Sequence, residues 1–185
     1  DLDSVFAKIK NDYSPTAYFM NFTSNHDENS WNGTEYERMG EGVEAFTALT
    51  YMLPGMPLIY TGQEYDLKHR LKFFEKDSIP KTKAKMFSLY EKLGALKNNN
   101  KALNGAKKAA LFTRIQTSND KMVMAFLREY KAEKVMYIGN LSKNPVAFTL
   151  AIEGTFTNYL TNKKVTINKG KKHQFKPWKY LILVP

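Results

Sequence analysis

The sequence lacks cysteine altogether, which excludes disulfide bonds, thiol catalysis and thiolate-bound metal sites. It also lacks any apolar run near the ~20 residues that a membrane-spanning helix requires. No secretory signal opens the sequence, and because Asp1 rather than Met comes first, we expect a mature form or a fragment. These absences leave extracellular, periplasmic and cytoplasmic locations all open.

The charge is divided unevenly along a chain that is otherwise typical of a folded protein, with 185 residues, 43% of them hydrophobic and 14% aromatic. Residues 1–80 carry 7 basic and 13 acidic side chains, a net charge of −6, whereas residues 81–185 carry 21 and 5, a net charge of +16. A basic part can bind nucleic acid or a membrane surface, or be the solvated surface of a larger protein. The lysines are scattered and form no basic helix or RNA-binding aromatic motif, so we predict no nucleic-acid partner.

Helical and strand-like patterns alternate in the first hundred residues. Segments with apolar residues every three or four positions predict helices, and two short aromatic or branched runs predict buried strands. The predicted order is a helix from Leu2 to the breaker Pro15, a strand at 17–22, a helix at 38–53, a strand at 57–60 and a helix at 81–100. Such alternation indicates a parallel sheet. Because two short strands make a poor sheet, we expect the rest of this α/β domain to lie upstream.

The pattern changes after Asn104, where eight short strand-like runs are separated by turn signals. Regularly spaced short strands of this kind predict a small antiparallel sandwich. The predicted fold class is therefore α/β plus all-β, with one domain at residues 1–100 and a second at residues 101–185.

The polar triplet Asn25-His26-Asp27 directly follows the first predicted strand and raises three alternatives. It could supply metal ligands, part of a hydrolase triad, or a structural hydrogen-bonding pair. A metal site needs three or four ligands, and neither His69 nor His173 lies at a helpful spacing. A triad needs an activated nucleophile, and the sequence has no Gly-x-Ser-x-Gly stretch. Taken alone, the triplet leaves these alternatives open.

A second motif, GMPLIYTGQE at residues 55–64, follows the triplet with one predicted helix between them. Together, FMNFTSNHD and GMPLIYTGQE resemble the α-amylase family of glycoside hydrolases. The segments LYEKLGALKNNNKAL, VMYIGNLSKNP and KPWKYLILV resemble the family's final barrel helix and C-terminal sandwich. The resemblance implies that residues 1–100 form the last strands and helices of a (β/α)8 TIM barrel, and residues 101–185 the C-terminal β-sandwich.

The resemblance also assigns candidate roles to residues of this sequence, on an α-glucan such as starch or a malto-oligosaccharide. Asp27 would be the carboxylate that stabilises the transition state, and His26 would hydrogen-bond hydroxyls of the same sugar. Asn25 is a further candidate at the substrate, with orientation of the loop as its alternative role. Trp31 would stack on a sugar ring or anchor the loop, and Arg70 would line the same rim.

The catalytic machinery that the resemblance implies is incomplete in this chain. A retaining glycosidase also needs a nucleophile and a general acid, and both would lie upstream, as would the usual calcium ligands. Glu28 and Glu64 match neither position, so we expect no cofactor or metal in this chain, and no activity from the chain in isolation. The alternative is a non-catalytic carbohydrate-binding or structural module. We also expect the truncated barrel part to self-associate.

Overall fold

The computed structural model describes residues 2–14 and 16–185. Its first part contains four helices and two very short strands, confirming the predicted alternation of helix and strand. Pro15, the predicted helix breaker, lies outside the described residues. In chain order the elements are α1 (Leu2–Asp12), β1 (Met20–Asn21), α2 (Glu35–Met39), α3 (Val43–Met52), β2 (Met56–Pro57) and α4 (Lys85–Asn99). No helix in residues 2–14 and 16–185 is long and apolar enough to cross a membrane.

The continuous helix predicted at residues 38–53 is wrong, because two helices separated by a 3₁₀ turn occupy this region. The first helix begins earlier, where Thr34 and Glu37 form a reciprocal capping box at its N-terminus. It ends at Gly40, whose positive φ of 54° takes the backbone out of the helical region. The turn Gly40–Gly42 then leads directly into α3.

The two predicted buried strands are shorter and more exposed than the sequence indicated. They pair in parallel, with Met20 opposite Met56, and both of these methionine side chains are exposed. Within the described residues neither strand has a further partner, so both outer edges of the sheet are open, and the exposed methionines show that one of its faces is uncovered as well. Pro57 lacks the N–H group that would extend the ladder.

The second part contains eight strands, one in each predicted run, and all are paired in antiparallel fashion. Six form a sheet in the order β3-β4-β5-β10-β7-β8, and β6 pairs with β9. The strands are β3 (Leu111–Arg114), β4 (Val123–Tyr130), β5 (Glu133–Asn140), β6 (Val146–Phe148), β7 (Gly154–Asn158), β8 (Lys163–Ile167), β9 (His173–Phe175) and β10 (Tyr180–Val184).

The central strands β4, β5 and β10 are buried on both faces, which explains their almost uninterrupted apolar sequences. Phe126, Tyr137 and Ile182 belong to one cluster together with residues of α3 and α4. Side chains of the opposite face belong to a second cluster with residues of β6, β8 and β9. The six-stranded sheet is thus the middle layer between helices and the small second sheet.

Arg128 joins the two parts of the chain at the base of this sheet. Its side chain is fully buried, and it donates to the carbonyl oxygens of Met52 at 3.0 Å and Asn104 at 2.9 Å. Met52 is the last residue of α3, so the guanidinium satisfies a carbonyl group that the helix leaves free. Burial lowers the pKa of Arg128 to about 10, and the group therefore remains charged at neutral pH.

Candidate functional site

The loops that follow β1 and β2 lie at the same edge of the small sheet, because the two strands are parallel. The first loop carries the Asn25-His26-Asp27 triplet and then forms a π-helical turn, Glu28–Asn32. The second loop runs from Leu58 to Ala84 and contains a 3₁₀ turn, Gln63–Tyr65. Polar groups beyond neighbouring parallel strands are the usual arrangement of a ligand site in α/β folds.

His26 and Asp27 form an exposed imidazole–carboxylate pair at this edge. His26 Nε2 lies 3.5 Å from Asp27 Oδ2, and the two side chains are 65% and 61% exposed. Asn25 Oδ1 accepts a hydrogen bond from the Glu28 N–H at 2.8 Å, so this amide is used within the loop. The carboxylate and imidazole are therefore open to a ligand from solvent, while the Asn25 side chain helps to shape the backbone that presents them.

A buried polar network lies beneath the loop and connects it to the second loop. Thr23 Oγ1 donates to Glu35 Oε2 at 2.9 Å, and Gln63 Nε2 donates both to Thr23 Oγ1 at 2.7 Å and to Glu35 Oε2. Gln63 Oε1 in turn accepts from the Tyr60 N–H at 2.6 Å. The two hydrogen bonds from Gln63 join the second loop to Thr23, just after β1, and to Glu35, at the start of α2, so the network fixes one loop relative to the other.

Glu35 is the ionisable member of this network. Burial raises its pKa, while the hydrogen bonds from Thr23 and Gln63 and the nearby charge of Arg38 lower it by less. Its second oxygen, Oε1, is buried and has no hydrogen-bond partner. An unpartnered oxygen at such a position costs least when the carboxyl group is protonated.

Arg38 secures the backbone of the first loop. Its guanidinium donates to the carbonyl oxygens of Thr23 at 2.7 Å and Gly33 at 2.9 Å, which bracket the loop. It also lies 3.5 Å from Glu28 Oε2. Glu28, the acidic residue next to Asp27, is thus held in a structural ion pair.

Three aromatic rings next to the pair form an exposed cluster, of which the sequence indicated only Trp31. Trp31 contacts Phe73 and Phe74, and Phe73 contacts the His26 ring at a centroid distance of 5.7 Å. Trp31 is 59% and Phe74 84% exposed. Two adjacent phenylalanines in the charged stretch KHRLKFFEKD are the signal that could have indicated this cluster.

Arg70 lies in the second loop, where its guanidinium is bound by Glu37. Nε and Nη2 donate to the two carboxylate oxygens, each at 3.1 Å. The hydrogen bonds from Arg70 and the Thr34 backbone N–H lower the pKa of Glu37 to about 2. The charged fork of Arg70 is therefore engaged with α2, although the side chain is half-exposed.

The exposed side chains of His26 and Asp27 can hydrogen-bond the hydroxyl groups of a ligand, and the Asp27 carboxylate can stabilise a nearby positive charge. Across residues 2–14 and 16–185, no group of three or more His, Asp or Glu residues could hold a metal ion. In the second loop, Glu64 Oε2 is buried without a hydrogen-bond partner.

Sequence comparison finds one family match, in the C-terminal part of the chain. Residues 112–182 match the family model of the maltogenic amylase C-terminal domain. No curated protein sequence matches the chain at a significant level.

Solved structures of α-amylases share the fold over the whole chain. A noncanonic maltogenic α-amylase, AmyB from Thermotoga neapolitana, has a TM-score of 0.80 and 21% identity, over 98% of this chain and 44% of its own. An α-amylase from Lactobacillus plantarum gives 0.75 and 18%, over 100% and 42%. The α-amylase of Geobacillus thermoleovorans, in complex with acarbose, gives 0.70 and 15%, over 99% and 42%. The chain thus spans less than half of each of these chains, and the predicted resemblance to α-amylases is confirmed by the family match of residues 112–182 and by the shared fold.

Proposed function

We propose that this chain is the C-terminal portion of a retaining glycoside hydrolase of the α-amylase family that acts on α-glucans. The match of residues 112–182 to the maltogenic amylase C-terminal domain and the fold shared with α-amylases support this proposal. In this proposal residues 1–100 are the end of a (β/α)8 catalytic barrel and residues 101–185 the C-terminal sandwich. The substrate is starch or a malto-oligosaccharide, bound at the edge where the loops after β1 and β2 meet.

The observation that carries the proposal is the exposed Asp27 carboxylate beyond a strand that pairs in parallel with β2. Cleavage of a glycosidic bond passes through a transition state with positive charge on the sugar ring. A fixed anion beside that ring stabilises the transition state more than the neutral ground state, and this difference accelerates the reaction. Asp27 supplies this anion.

The neighbouring residues bind the sugar in the proposed site. His26 hydrogen-bonds hydroxyl groups of the ring that Asp27 contacts, and Trp31 stacks on a pyranose face. The hydrogen bond between Asn25 and the Glu28 backbone supports the orienting role for Asn25 over a direct contact with the sugar. The two hydrogen bonds from Arg70 to Glu37 support a role in shaping the rim, with substrate contact limited to its exposed edge.

The nucleophile and the general acid lie outside this chain in the proposal, as do any calcium ligands. The ion pair of Glu28 with Arg38 supports leaving Glu28 out of the chemistry. The isolated 185-residue chain should therefore release no reducing sugar from soluble starch, whereas the full-length protein should. Clear, dose-dependent release by the purified chain would contradict this division of the machinery.

Replacing Asp27 by Asn in the full-length protein tests the proposal directly. The amide keeps the shape of the side chain but removes the charge, so kcat on an α-glucan should fall at least about a hundredfold while the fold is kept. His26→Ala removes hydrogen bonds rather than charge and should act more mildly. Turnover of Asp27→Asn close to that of the wild type would refute the assignment.

The same variant separates the enzyme from the alternative, a non-catalytic carbohydrate-binding module. A module would bind maltoheptaose in calorimetry, but the full-length protein would show no hydrolysis for Asp27→Asn to abolish. The enzyme loses turnover in the variant and keeps measurable binding.

A further inference from the structure

Trp31, Phe73 and Phe74 form one surface, called here the aromatic platform. Phe73 is its centre, with its ring centroid 5.3 Å from that of Trp31 and 4.7 Å from that of Phe74. The outer rings, Trp31 and Phe74, are the most exposed of the three. Such large exposed apolar rings in mutual contact are unusual on a surface without a ligand or partner.

The platform is built from two loops that hydrogen bonds hold together. The buried Asn29 accepts from the Leu71 N–H through Oδ1 at 2.7 Å, and Ser30 Oγ donates to the Leu71 carbonyl oxygen at 2.8 Å. Both backbone groups of Leu71, in the second loop, are thus hydrogen-bonded by Asn29 and Ser30, the two residues that precede Trp31. These hydrogen bonds fix the two backbone segments that carry the rings relative to each other before any ligand arrives, which reduces the entropy lost on binding.

The platform is continuous with the exposed imidazole–carboxylate pair. The His26 ring contacts Phe73, and the same imidazole lies 3.5 Å from Asp27. Hydrogen-bonding side chains also flank the rings, since Lys72 pairs with Glu75 at 2.8 Å and His69 lies 3.7 Å from Asp77. Apolar flat faces bordered by charged hydrogen-bonding groups match a pyranose, which has an apolar C–H face and hydroxyl groups at its rim.

We propose that the aromatic platform is a stacking subsite for a glucosyl residue of the α-glucan other than the one held over Asp27. This inference rests on the function proposed above and extends it to Phe73 and Phe74. The ligand chain runs from Asp27 past His26 onto the rings, so the platform discriminates long α-glucans from short ones. A second copy of the chain is the competing occupant.

Equilibrium binding of maltoheptaose to the full-length protein tests this subsite. The Asp27→Asn background prevents turnover, and calorimetry gives Kd for added Trp31→Ala, Phe74→Leu and Phe74→Tyr changes. Loss of an aromatic contact worth about 0.5–1.5 kcal/mol corresponds to a Kd roughly 2- to 12-fold higher, so Trp31→Ala and Phe74→Leu should weaken binding by that factor. Phe74→Tyr keeps the ring and should bind as the background does. Because Phe74 is so exposed, none of its substitutions should impair folding.

Tyr13→Ala is the matched control, because Tyr13 is similarly exposed and makes a ring contact, with Phe19, but precedes β1. It should leave Kd unchanged. With Asp27 intact, Phe74→Leu should raise KM for maltoheptaose at constant kcat and leave a 4-nitrophenyl α-glucoside unaffected.

Different results would overturn the subsite and the proposed function separately. If Asp27→Asn abolishes turnover but Phe74→Leu and Trp31→Ala bind maltoheptaose normally, the subsite is refuted and the function stands. If the full-length protein has no hydrolytic activity on α-glucans, the proposed function is refuted. If Phe74→Leu dissociates a dimer without changing glucan affinity, the platform binds a second copy and the subsite is refuted.

Discussion

Glu35 is a residue whose importance depends on partners that are distant in sequence. It receives hydrogen bonds from Thr23 and Gln63, and thereby holds the two loops of the candidate site in register. Replacement by Leu would leave the Thr23 hydroxyl and one of the two Gln63 Nε2–H groups buried without an acceptor, at a cost of about 1–3 kcal/mol for each. The protonation of this one carboxyl group therefore affects the stability of the site.

The pKa of Glu35 gives a prediction for stability against pH. Burial raises this pKa above 4.5, so the folded chain retains the proton at a pH where the unfolded chain has released it. The stabilisation is fully present below pH 4.5 and is lost as the pH rises through the folded-state pKa. Glu35→Gln cannot titrate, so its Tm relative to the wild type should increase between about pH 5 and pH 8, measured by calorimetry.

The control for this experiment is Glu41→Gln, which alters an exposed carboxylate in the turn before α3. A Tm difference for Glu35→Gln that stays constant over the same pH range would show that Glu35 is charged throughout, against the burial argument.

Among the individual residues, the sequence could indicate His26 and Asp27 because their motif is local and follows a strand-like run. Gln63 belongs to the second motif, but nothing in the sequence links it to Glu35, since the two residues are 28 positions apart and belong to no shared periodicity. Phe73 and Phe74 were missed for a related reason. Whether an aromatic ring is buried or exposed depends on the loop that carries it, and no pattern in the sequence defines that loop.

Among the elements, the pairing of β1 with β2 depends on Gly55. This residue has a φ of 130°, and an added Cβ would lie 2.6 Å from the Phe19 carbonyl oxygen and 2.7 Å from Asn21 Nδ2. Asn21 Nδ2 in turn donates to the Thr50 and Pro54 carbonyl oxygens, at the end of α3. The close approach of the chain segments thus needs a residue without a side chain.

We predict that Gly55→Ala destabilises the chain by more than the ~1–3 kcal/mol that an unfavourable backbone conformation alone costs, because the clash with Phe19 is added to it. Gly94→Ala is the matched control. Gly94 lies within α4 with no atom within 4 Å of an added Cβ, so the change should stabilise by about 0.5–1 kcal/mol. Urea unfolding of both variants measures the two effects, and equal effects of the two changes would contradict the role of Gly55.

The eight C-terminal strands were predictable because each is an apolar run bounded by turn residues. The lengths of β1 and β2 were not, because an apolar run does not show how many partners a strand has. The helix at 38–53 was predicted as continuous because its apolar spacing runs across Gly40. There the backbone conformation of one glycine outweighs the periodicity.

For the molecule as a whole, the uncovered face of the β1–β2 sheet leads to a prediction about association. Tyr18, Met20, Phe22 and Met56 are exposed, and within the described residues β1 and β2 pair only with each other. Open strand edges beside apolar side chains favour pairing with another chain. We predict that the isolated chain self-associates at micromolar concentration and that the double variant Met20→Lys, Met56→Lys does so less.

Size-exclusion chromatography with light scattering measures this association for both proteins. A monodisperse wild-type monomer that does not bind a hydrophobic dye would show that the helices protect the sheet unaided.

The core shared by α3, α4 and the six-stranded sheet has a consequence for protein engineering. The fold changes near residue 100 from mainly helices to antiparallel strands. Nevertheless, the side of the six-stranded sheet that faces the helices carries Phe126, Tyr137 and Ile182, which are completely buried. A domain swap at that boundary would place these side chains against the helices of another protein. The graft should succeed only when the recipient's helices match this surface in shape, and only when they offer Arg128 a free carbonyl group as Met52 does here. Where the recipient's helices lack these features, the two parts have to be exchanged together as one unit.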